Sequence, residues 1–345
     1  MFRVGVVGGS GYTGAELLRL CAGHPDLAVA WATADTHAGA PVAALYPSLA
    51  PAYGSLSFVR YDPALAAGVD VVFLALPHGA SQAVVPDLLE QGVKVVDLAA
   101  DFRLLDASAY ERWYGEAHRC PELLGRLAYG LPELNRDAIA KAEGAAAAGC
   151  YPTAAAVALA PLVAAGVIEP AGVIVDAASG VSGAGRALKH ATHFGTANED
   201  FTAYGLLDHR HTPEMEQAVD AFTNAAGGAQ ILFTPHLAPM TRGILATCYA
   251  RPAAGSGADP LSVLAEAYAG EPFVVVGDRP PSTKAAWGSN AVHLTARRDP
   301  RTGWVVALSA LDNLVKGASG QAVQCANILL GLAETAGLSS IGVYP

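Results

Sequence analysis

The chain opens with FRVGVVGGSGYTG at residues 2–14, and this stretch decides the fold of the first part of the protein. Residues 2–7 form a short apolar run, as in a buried strand, and residues 15–21 repeat apolar positions with helical spacing. Between them, Gly8, Gly11 and Gly14 allow a sharp turn, a close approach of the backbone to a pyrophosphate and tight packing of helix on strand. Ordinary tight turns also contain such glycines, but the flanking strand and helix favour nucleotide binding here.

Two further apolar runs continue the pattern. Residues 69–76 (VDVVFLAL) and 93–98 (VKVVDL) are typical of buried parallel strands, and helical stretches lie between them. We therefore expect an α/β fold with a Rossmann-like, doubly wound sheet. Pro77 and His78 follow the first run at its carboxyl end, which is where sheets of this kind bind their ligands.

The residues after the second predicted strand, 27–33, bear on the choice of cofactor. Asp35 comes two residues later, and an acidic side chain there binds the ribose hydroxyls of NAD and repels the extra phosphate of NADP. Thr33, Thr36 and His37 could instead donate hydrogen bonds to that phosphate. The residues alone leave the choice between NAD and NADP open.

Composition excludes several classes of protein. The 345 residues carry a formal net charge of −10, which argues against nucleic acid or an anionic membrane as the partner. No apolar run has the length of a membrane span and residue 2 already begins a strand, so we expect a cytoplasmic protein. The five cysteines are odd in number and widely spaced, without a CxxC pair, which predicts neither a disulfide framework nor a metal site.

One of these cysteines, Cys150, lies in the sequence AGCYPT and precedes an alanine-rich run that extends to residue 161. The small-residue turn and the helix formers after it place the thiol at the start of a predicted helix. Unpaired backbone N–H groups and the helix dipole favour the thiolate there, and the thiolate is the nucleophilic form. A small buried residue in a tight turn is the alternative, and position alone does not decide between the two.

Two histidines are candidate partners of this thiol. His211 directly precedes a helix that Thr212 would cap and Pro213 would begin, and a fixed imidazole suits a proton acceptor and donor. His209 lies two residues earlier. Metal binding by this pair lacks a third ligand at a suitable spacing, and a surface position at the helix start is the simpler alternative.

Two other stretches could bind an anion. The loop SGVSGAGR at residues 179–186 offers several backbone N–H groups and a cation to an anion or to the edge of a cofactor. Arg103 follows the strand that ends at residue 98, where it could grip a phosphate or carboxylate. An ordinary ion pair with Asp101 or Asp106 is the other interpretation of Arg103.

The second half of the chain predicts an α+β domain with a mainly antiparallel sheet, which could offer a dimer surface. Predicted strands cluster there with few helices among them, at residues 173–177, 230–233, 243–250, 273–276 and 304–311. We expect a nucleotide-binding domain at residues 1–149 and a catalytic, substrate-binding and dimerisation domain at residues 150–317. A C-terminal helix, at about residues 318–345, is expected to pack back on the first domain.

Nine motifs occur in one order along the chain: GGSGYTGAELLRL, FLALPHG, DLAADFRL, YGLPEL, GCYPTAA, SGVSGAGR, HRHTPEM, TPHLAPMTRGILATC and LSALDNLVKGASG. In these motifs the chain resembles the N-acetyl-gamma-glutamyl-phosphate reductase family, which is related in fold to aspartate-semialdehyde dehydrogenase. The resemblance implies NADPH-dependent reduction of N-acetyl-gamma-glutamyl phosphate to N-acetylglutamate 5-semialdehyde and phosphate, in arginine biosynthesis. It also implies a cysteine thioester and a homodimer or homotetramer.

The resemblance assigns roles to individual residues. Cys150 matches the nucleophile and His211 the acid/base, with His209 as the second choice. The matches to cofactor contacts are Ser10, Gly11, Tyr12, Thr13, Gly14, Pro77, Ser182 and Asn313. From chemistry alone we add Arg103 and Arg210 as candidates to hold the phosphate and the carboxylate of the substrate.

Two positions depart from the family pattern: Ala148 stands where members usually have proline, and Asp35 stands where many have a basic residue. We nevertheless expect NADPH from the match as a whole. A related reductase of carrier-bound aminoadipyl phosphate, in lysine biosynthesis, tends to read GCNAT after the turn, so Tyr151 and Pro152 favour the arginine enzyme. A nonphosphorylating aldehyde dehydrogenase, a cysteine hydrolase and a nonenzymatic NADP sensor would each share some of these features.

Overall fold

A computed structural model describes residues 1–223 and 228–344. The chain forms two units, one of residues 1–148 with 318–338 and one of residues 149–317 with 339–345. In the first 148 residues the strands are β1 (Phe2–Val7), β2 (Leu27–Ala32), β3 (Val71–Leu74), β4 (Lys94–Asp97), β5 (Leu127–Gly130) and β6 (Gly144–Ala147). The helices of this part are α1 (Tyr12–Ala22), α2 (Val42–Leu45), α3 (Ala50–Tyr53), α4 (Val85–Glu90), α5 (Ala107–Tyr114) and α6 (Pro132–Lys141).

The remaining elements begin with the helix that carries Cys150. The helices are α7 (Cys150–Ala164), α8 (Phe194–Ala197), α9 (Thr212–Thr223), α10 (Pro260–Ala267), α11 (Thr283–Ala286) and α12 (Gly320–Leu329). The strands are β7 (Ala171–Gly180), β8 (Thr202–Ala203), β9 (Gln230–Ala238), β10 (Ile244–Ala250), β11 (Val274–Val276), β12 (Val292–Arg298) and β13 (Val305–Leu311). In the described part of the chain, no helix is long and apolar enough to cross a membrane.

The first unit contains a parallel sheet in the order β2-β1-β3-β4-β6-β5, which confirms the doubly wound prediction. Strands β3 and β6 are buried along their whole length, as strands covered on both faces should be. Because β2 and β3 flank β1 on opposite sides, the topological switch point lies at the carboxyl ends of β1 and β3. The fold therefore exposes the glycine turn and the loop after β3 at one edge of the sheet.

Strands β5 and β6 were not predicted from the sequence. Their residues, LAYG and GAAA, have low strand propensity, so no apolar or alternating pattern marks them. The sheet itself accounts for this composition: a Cβ on Gly144 would lie 2.5 Å from the Val95 carbonyl oxygen, and one on Gly130 would lie 2.8 Å from Ala147 Cα. Close packing of neighbouring backbones, rather than local preference, selects the small residues here.

Helix α12 returns to the first unit, where it packs on α6 and on β6. The Asn327 amide oxygen lies 2.9 Å from His24 Nε2, and Ser319 Oγ donates to the Thr13 carbonyl oxygen at 2.9 Å. The helix is shorter than the one expected at about residues 318–345. Residues 339–345 belong instead to the second unit, where Asn290 N–H donates to the Ser339 carbonyl oxygen at 2.8 Å.

The sheet of the second unit has the order β11-β12-β13-β10-β7-β9-β8. Its pairs are antiparallel except for β7 with β9 and β11 with β12, so the mainly antiparallel prediction is confirmed. Helix α7 packs on β10 and β13 from one side, together with α9 and α10. Alternate residues of β7 and β10 are buried toward these helices and partly exposed on the opposite face.

Candidate active site

Cys150 is the first residue of α7, as the sequence predicted. Gly149 is the N-cap residue with extended backbone (φ −64°, ψ 155°), and no side chain caps the helix. The residues that follow, from Tyr151 to Val163, are buried, so the helix is held from all sides and its first residue is fixed in place. The N–H groups of its first turn and the positive end of its dipole stabilise an anionic sulfur at this position.

All five cysteines lie in the described part of the chain, and Cys150 is the one that is not buried. Burial raises the pKa of Cys21 and of Cys248 to about 12. Burial, and next the charge of Glu122, raise the pKa of Cys120 to about 11. These thiols are therefore poor nucleophiles, because the thiolate is the reactive form.

A buried carboxylate joins the start of α7 to the start of α9. Gly149 N–H donates a hydrogen bond to Glu214 Oε1 at 2.8 Å, and Glu214 is fully buried in the first turn of α9. His211 directly precedes that helix, and its ring centroid lies 6.0 Å from that of Tyr151. The structure thus brings Cys150 and His211 to neighbouring helix ends. Sequence reasoning missed Glu214, although its place in the HTPE motif was a usable signal.

His209 and His211 have different surroundings. The His209 ring lies among aromatic rings, with centroids 5.8 Å from Tyr151 and 5.2 Å from Phe233. Burial, and next the charge of Arg210, lower the pKa of His209 to about 4. Its Nδ1 accepts a hydrogen bond from the His211 N–H at 3.2 Å. His209 is therefore neutral at neutral pH, with Nδ1 used as an acceptor.

Gly317 packs directly behind the thiol, a contact that sequence reasoning did not foresee. A Cβ at residue 317 would lie 2.8 Å from Cys150 Cβ, which is closer than real Cβ atoms approach. Gly317 belongs to a short π-helical turn at Val315–Ser319, and its N–H donates to the Asp312 carbonyl oxygen at 2.9 Å. Turns of this kind often occur at functional sites.

Two predicted cofactor contacts, Ser182 and Asn313, lie together in the second unit. Asn313 Nδ2 donates to Ser182 Oγ at 3.0 Å, and Asn313 Oδ1 accepts from the Gly243 N–H at 2.7 Å. Both side chains are buried. The pair joins the loop after β7 to the residues between β9 and β10, so its direct effect is to hold the glycine-serine loop in one conformation.

The glycine turn in the first unit has the geometry expected for a nucleotide-binding turn. Gly8 has φ +82°, and a Cβ there would lie 2.4 Å from the Ala75 carbonyl oxygen. A Cβ on Gly14 would lie 2.5 Å from the Gly8 carbonyl oxygen, so α1 starts tight against the turn. Gly11 differs, because a Cβ there would meet only the Gly8 carbonyl oxygen, at 3.7 Å. The turn is thus closed toward the protein and open on the side of Gly11.

The backbone carbonyl groups of Ser10 and Thr13, in this turn, accept side-chain hydrogen bonds, that of Thr13 from Ser319. The Ser10 carbonyl oxygen accepts from the Tyr46 hydroxyl at 2.7 Å, and the Gly8 N–H donates to Thr33 Oγ1 at 3.3 Å. Pro77 is exposed in the loop after β3, at the same edge of the sheet, and Asp35 is exposed after β2. These positions agree with the carboxyl-edge site that the sequence predicted for the first unit.

The two candidate arginines lie in different settings. Arg210 is exposed, between the two histidines. Arg103 is 7% exposed, and its Nη2 donates to the Leu98 carbonyl oxygen at 2.8 Å. Its positive charge also lowers the pKa of the neighbouring Asp97, against the larger effect of burial.

Comparison with known proteins agrees with this arrangement. Residues 3–142 match the profile of the semialdehyde dehydrogenase NAD-binding domain, and residues 150–313 match that of the semialdehyde dehydrogenase dimerisation domain. The structure is similar to that of aspartate semialdehyde dehydrogenase II from Vibrio cholerae, with a TM-score of 0.72 and 18% identity over 96% of this chain and 98% of that one. At that identity the likeness concerns the fold alone.

Two curated relatives extend the likeness over the whole sequence. The N-acetyl-gamma-glutamyl-phosphate reductase of Desulforudis audaxviator is 49% identical and covers 100% of both chains. The protein of the same name from Symbiobacterium thermophilum is 49% identical and covers 99% of both. With these full-length matches, a glycine turn after β1 and a partly exposed thiol at a helix start, the chain belongs to the N-acetyl-gamma-glutamyl-phosphate reductase family.

Proposed function

We propose that this protein catalyses the NADPH-dependent reduction of N-acetyl-gamma-glutamyl phosphate to N-acetylglutamate 5-semialdehyde and phosphate, a reaction of arginine biosynthesis. The observation that carries the proposal is Cys150: it is the cysteine that is not buried, it begins α7, and the ring of the next residue, Tyr151, lies 6.0 Å from that of His211. The identity of the substrate is inferred from a reductase of that name, to which this chain is 49% identical over its full length.

The covalent step belongs to Cys150. The thiolate attacks the acyl carbon of the acyl phosphate, a carbon–sulfur bond forms, and phosphate leaves with the electrons of the carbon–oxygen bond. The backbone N–H groups at the start of α7 are the donors nearest to the negative charge that develops on the acyl oxygen. Glu214 holds the turn before Cys150 through the Gly149 N–H, which keeps the sulfur in one position.

The second step regenerates the thiol. NADPH held at residues 10–14 would supply the hydride that reduces the thioester carbon. The sulfur then leaves with the electrons of the carbon–sulfur bond, and His211 as imidazolium gives it a proton. We assign this role to His211 rather than to His209, because burial and Arg210 keep His209 neutral.

The residues of the first unit fit a dinucleotide. The first turn of α1 consists of Tyr12, Thr13 and Gly14, which carry no charge, and its N-cap Gly11 provides no side-chain hydrogen bond. The open side of Gly11 lets a pyrophosphate reach the N–H groups of this turn. We propose that residues 10–14 hold the pyrophosphate, and that Pro77, Ser182 and Asn313 are further contacts. NADP rather than NAD is proposed from the family, despite Asp35.

Arg210 and Arg103 are the proposed holders of the carboxylate and the phosphate of the substrate. Arg210 is exposed and lies next to His211 in sequence. Arg103 already donates to the Leu98 carbonyl oxygen, so its guanidinium has one orientation. A guanidinium presents its N–H donors in a planar fork, and that shape matches the oxygens of a phosphate or a carboxylate.

A homo-oligomer is proposed from the face of the second sheet that α7, α9 and α10 leave open. On this face Ile174 pairs with Leu232 and Tyr249, and Leu245 pairs with Ala178, with the polar row Thr234, Asp176 and Thr247 between them. Leu232 is 50% exposed and Tyr249 is 36% exposed. Apolar side chains arranged over several strands are typical of a protein–protein interface, and a second copy of the chain has the same face to offer.

The test is the reverse reaction. We expect reduction of NADP by N-acetylglutamate 5-semialdehyde that requires inorganic phosphate, with aspartate semialdehyde as the control substrate. Reduction without phosphate would indicate a nonphosphorylating dehydrogenase. Activity with aspartate semialdehyde alone would assign a different substrate, and NADP binding without turnover would indicate a cofactor-binding protein.

A further inference from the structure

A buried chain of hydrogen bonds lies at the carboxyl edge of the first sheet, apart from the thiol. Ser81 Oγ lies 2.9 Å from Asp97 Oδ2 and 2.7 Å from Asp101 Oδ2. Asp101 Oδ1 lies 2.6 Å from His78 Nδ1. Ser81, Asp97 and Asp101 are fully buried, and the His78 side chain is 13% exposed.

The contact of two carboxyl groups with one hydroxyl favours one additional proton in this hydrogen-bond network. A hydroxyl group has a single hydrogen, so Ser81 donates to only one of the two carboxylates that it contacts. If both carboxylates were ionised, Ser81 would donate to one of them. An oxygen of the second would then face a lone pair of Ser81 in a buried position, without any hydrogen between them. A proton on one carboxyl group, donated to Ser81, removes this conflict.

Asp97 accepts a hydrogen bond from the Ala99 N–H at 3.0 Å, and Asp101 accepts from two backbone N–H groups, which favours Asp97 as the protonated acid. Asp101 accepts from the Gly79 N–H at 2.7 Å and from the Ser81 N–H at 3.0 Å, besides its contact with His78. Burial alone would raise the pKa of Asp101, but hydrogen bonds led by that from His78 outweigh it and hold the pKa at about 2. Burial, and next the charge of Asp101, raise the pKa of Asp97 to about 7.

The charged surroundings of Asp97 are few. The 98–103 segment contributes Asp101 and Arg103, and the 77–81 loop contributes His78, which acts through Asp101. Flanking strands β3 and β6 place Leu74 and Ala146 beside Asp97. Burial thus has the largest effect on the ionisation of Asp97, and the charge of Asp101, across the Ser81 hydroxyl, has the next largest.

The same hydrogen bonds hold the loop that follows β3. Residues 75–81 start against the glycine turn, since a Cβ on Gly8 would meet the Ala75 carbonyl oxygen. They contain the exposed Pro77 and end at Ser81, which the two carboxyl groups bind. A change at Asp97 therefore reaches the loop that borders the proposed cofactor site.

We propose that Asp97 is a positioning residue that acts as the neutral acid: through Ser81 it holds the 75–81 loop in the form that binds the nicotinamide dinucleotide, and loss of its proton weakens that binding. The inference rests on the proposed NADPH binding. When Asp97 ionises, two negative charges face each other across one hydroxyl, and the hydrogen bond from Asp97 to Ser81 is lost.

The test compares the wild-type protein with Asp97→Asn, in which an amide donates to Ser81 permanently. Asp137→Asn, an exposed position on α6 in the same unit, is the matched control. NADPH dissociation constants are measured by nicotinamide fluorescence from about pH 6 to about pH 8, on either side of the Asp97 pKa of about 7. The phosphates of the ligand titrate identically for all three proteins and cancel in the comparison.

We expect the dissociation constant of the wild type and of Asp137→Asn to rise about threefold or more over this range relative to that of Asp97→Asn. Equal pH profiles for wild type and Asp97→Asn would overturn the inference while leaving cofactor binding intact. No NADPH binding at any pH would instead reject the proposed function.

A second measurement uses the wild-type protein without cofactor. Because the folded-state pKa of Asp97 lies above its ordinary value of 3.8, its contribution to stability is complete below that value and is lost as pH rises through about 7. We expect the infrared band of a protonated carboxylic acid, identified by 13C-labelled aspartate, to be present at about pH 6 and to fade toward about pH 8. An absent band at about pH 6 would overturn the inference even if Asp97→Asn did not fold.

Discussion

The two sheets of this protein differ in how their faces are covered, and their proposed roles differ with it. The first is parallel, and its central strands are buried along their length, so its edge at the carboxyl ends of β1 and β3 is left for a ligand. The second is mainly antiparallel, with helices on one face and half-exposed apolar side chains on the other. The comparison teaches that the first unit leaves a sheet edge for a ligand, whereas the second leaves the thiol and the open sheet face on which the proposed catalysis and assembly depend.

Replacing the proposed nucleophile is the strongest test of the roles proposed for the two units. We expect Cys150→Ser to lower turnover by at least about a thousandfold, because a hydroxyl ionises far less readily than a thiol. NADPH binding, measured by fluorescence, should be unchanged, since the proposed pyrophosphate site lies in the other unit. Cys248→Ala, at a buried cysteine of β10 in the same unit, is the control and should stay active. Retained turnover in Cys150→Ser would contradict the covalent mechanism.

The two histidines sharpen the account of the second unit. We expect His211→Asn to lower kcat by about a hundredfold or more, the size typical of a lost general acid. His209→Asn should cost less, because burial and Arg210 hold the pKa of His209 at about 4 and leave it neutral. Steady-state rates in both variants check this, and an equal or larger loss in His209→Asn would exchange the two assignments.

The open face of the second sheet is tested by a charge placed at its middle. Leu245 pairs with Ala178 on one side and with Ala310 on the other. We expect Leu245→Asp to raise the dissociation constant of the oligomer by about a hundredfold, since an unpaired charge in an apolar interface is costly. Leu105→Asp, at a 63% exposed leucine of the first unit, is the control. Sedimentation showing one and the same state for all three proteins would reject this face as the interface.

The smallest change adds one methyl group behind the thiol. We expect Gly317→Ala to lower kcat about tenfold and to slow alkylation of Cys150, because the new Cβ would lie 2.8 Å from Cys150 Cβ and must displace it. Gly277→Ala, where a Cβ meets nothing within 4 Å, should leave both rates unchanged. Unaltered alkylation in Gly317→Ala would mean that the turn moves and the sulfur does not.

The elements that the sequence predicted well are those with strong local signals. Continuous apolar runs located β3 and β4, and the small-residue turn before an alanine-rich run located the start of α7 at Cys150. Strands β5 and β6 were not predicted, because their glycine and alanine residues are selected by the closeness of neighbouring backbones. The helix predicted within about residues 318–345 occurs at Gly320–Leu329.

The sequence by itself identified the family to which the motifs belong, and it predicted the proposed nucleophile and the proposed pyrophosphate turn. Those properties reside in side-chain type and in local backbone preference, which a short stretch carries with it. Only the tertiary structure decided that Gly317 lies behind Cys150, that Glu214 holds the turn before it, and that Asp97 and Asp101 share one hydroxyl. Each of these contacts joins residues distant in the chain, and the packing of whole elements, rather than any local preference, sets their separation.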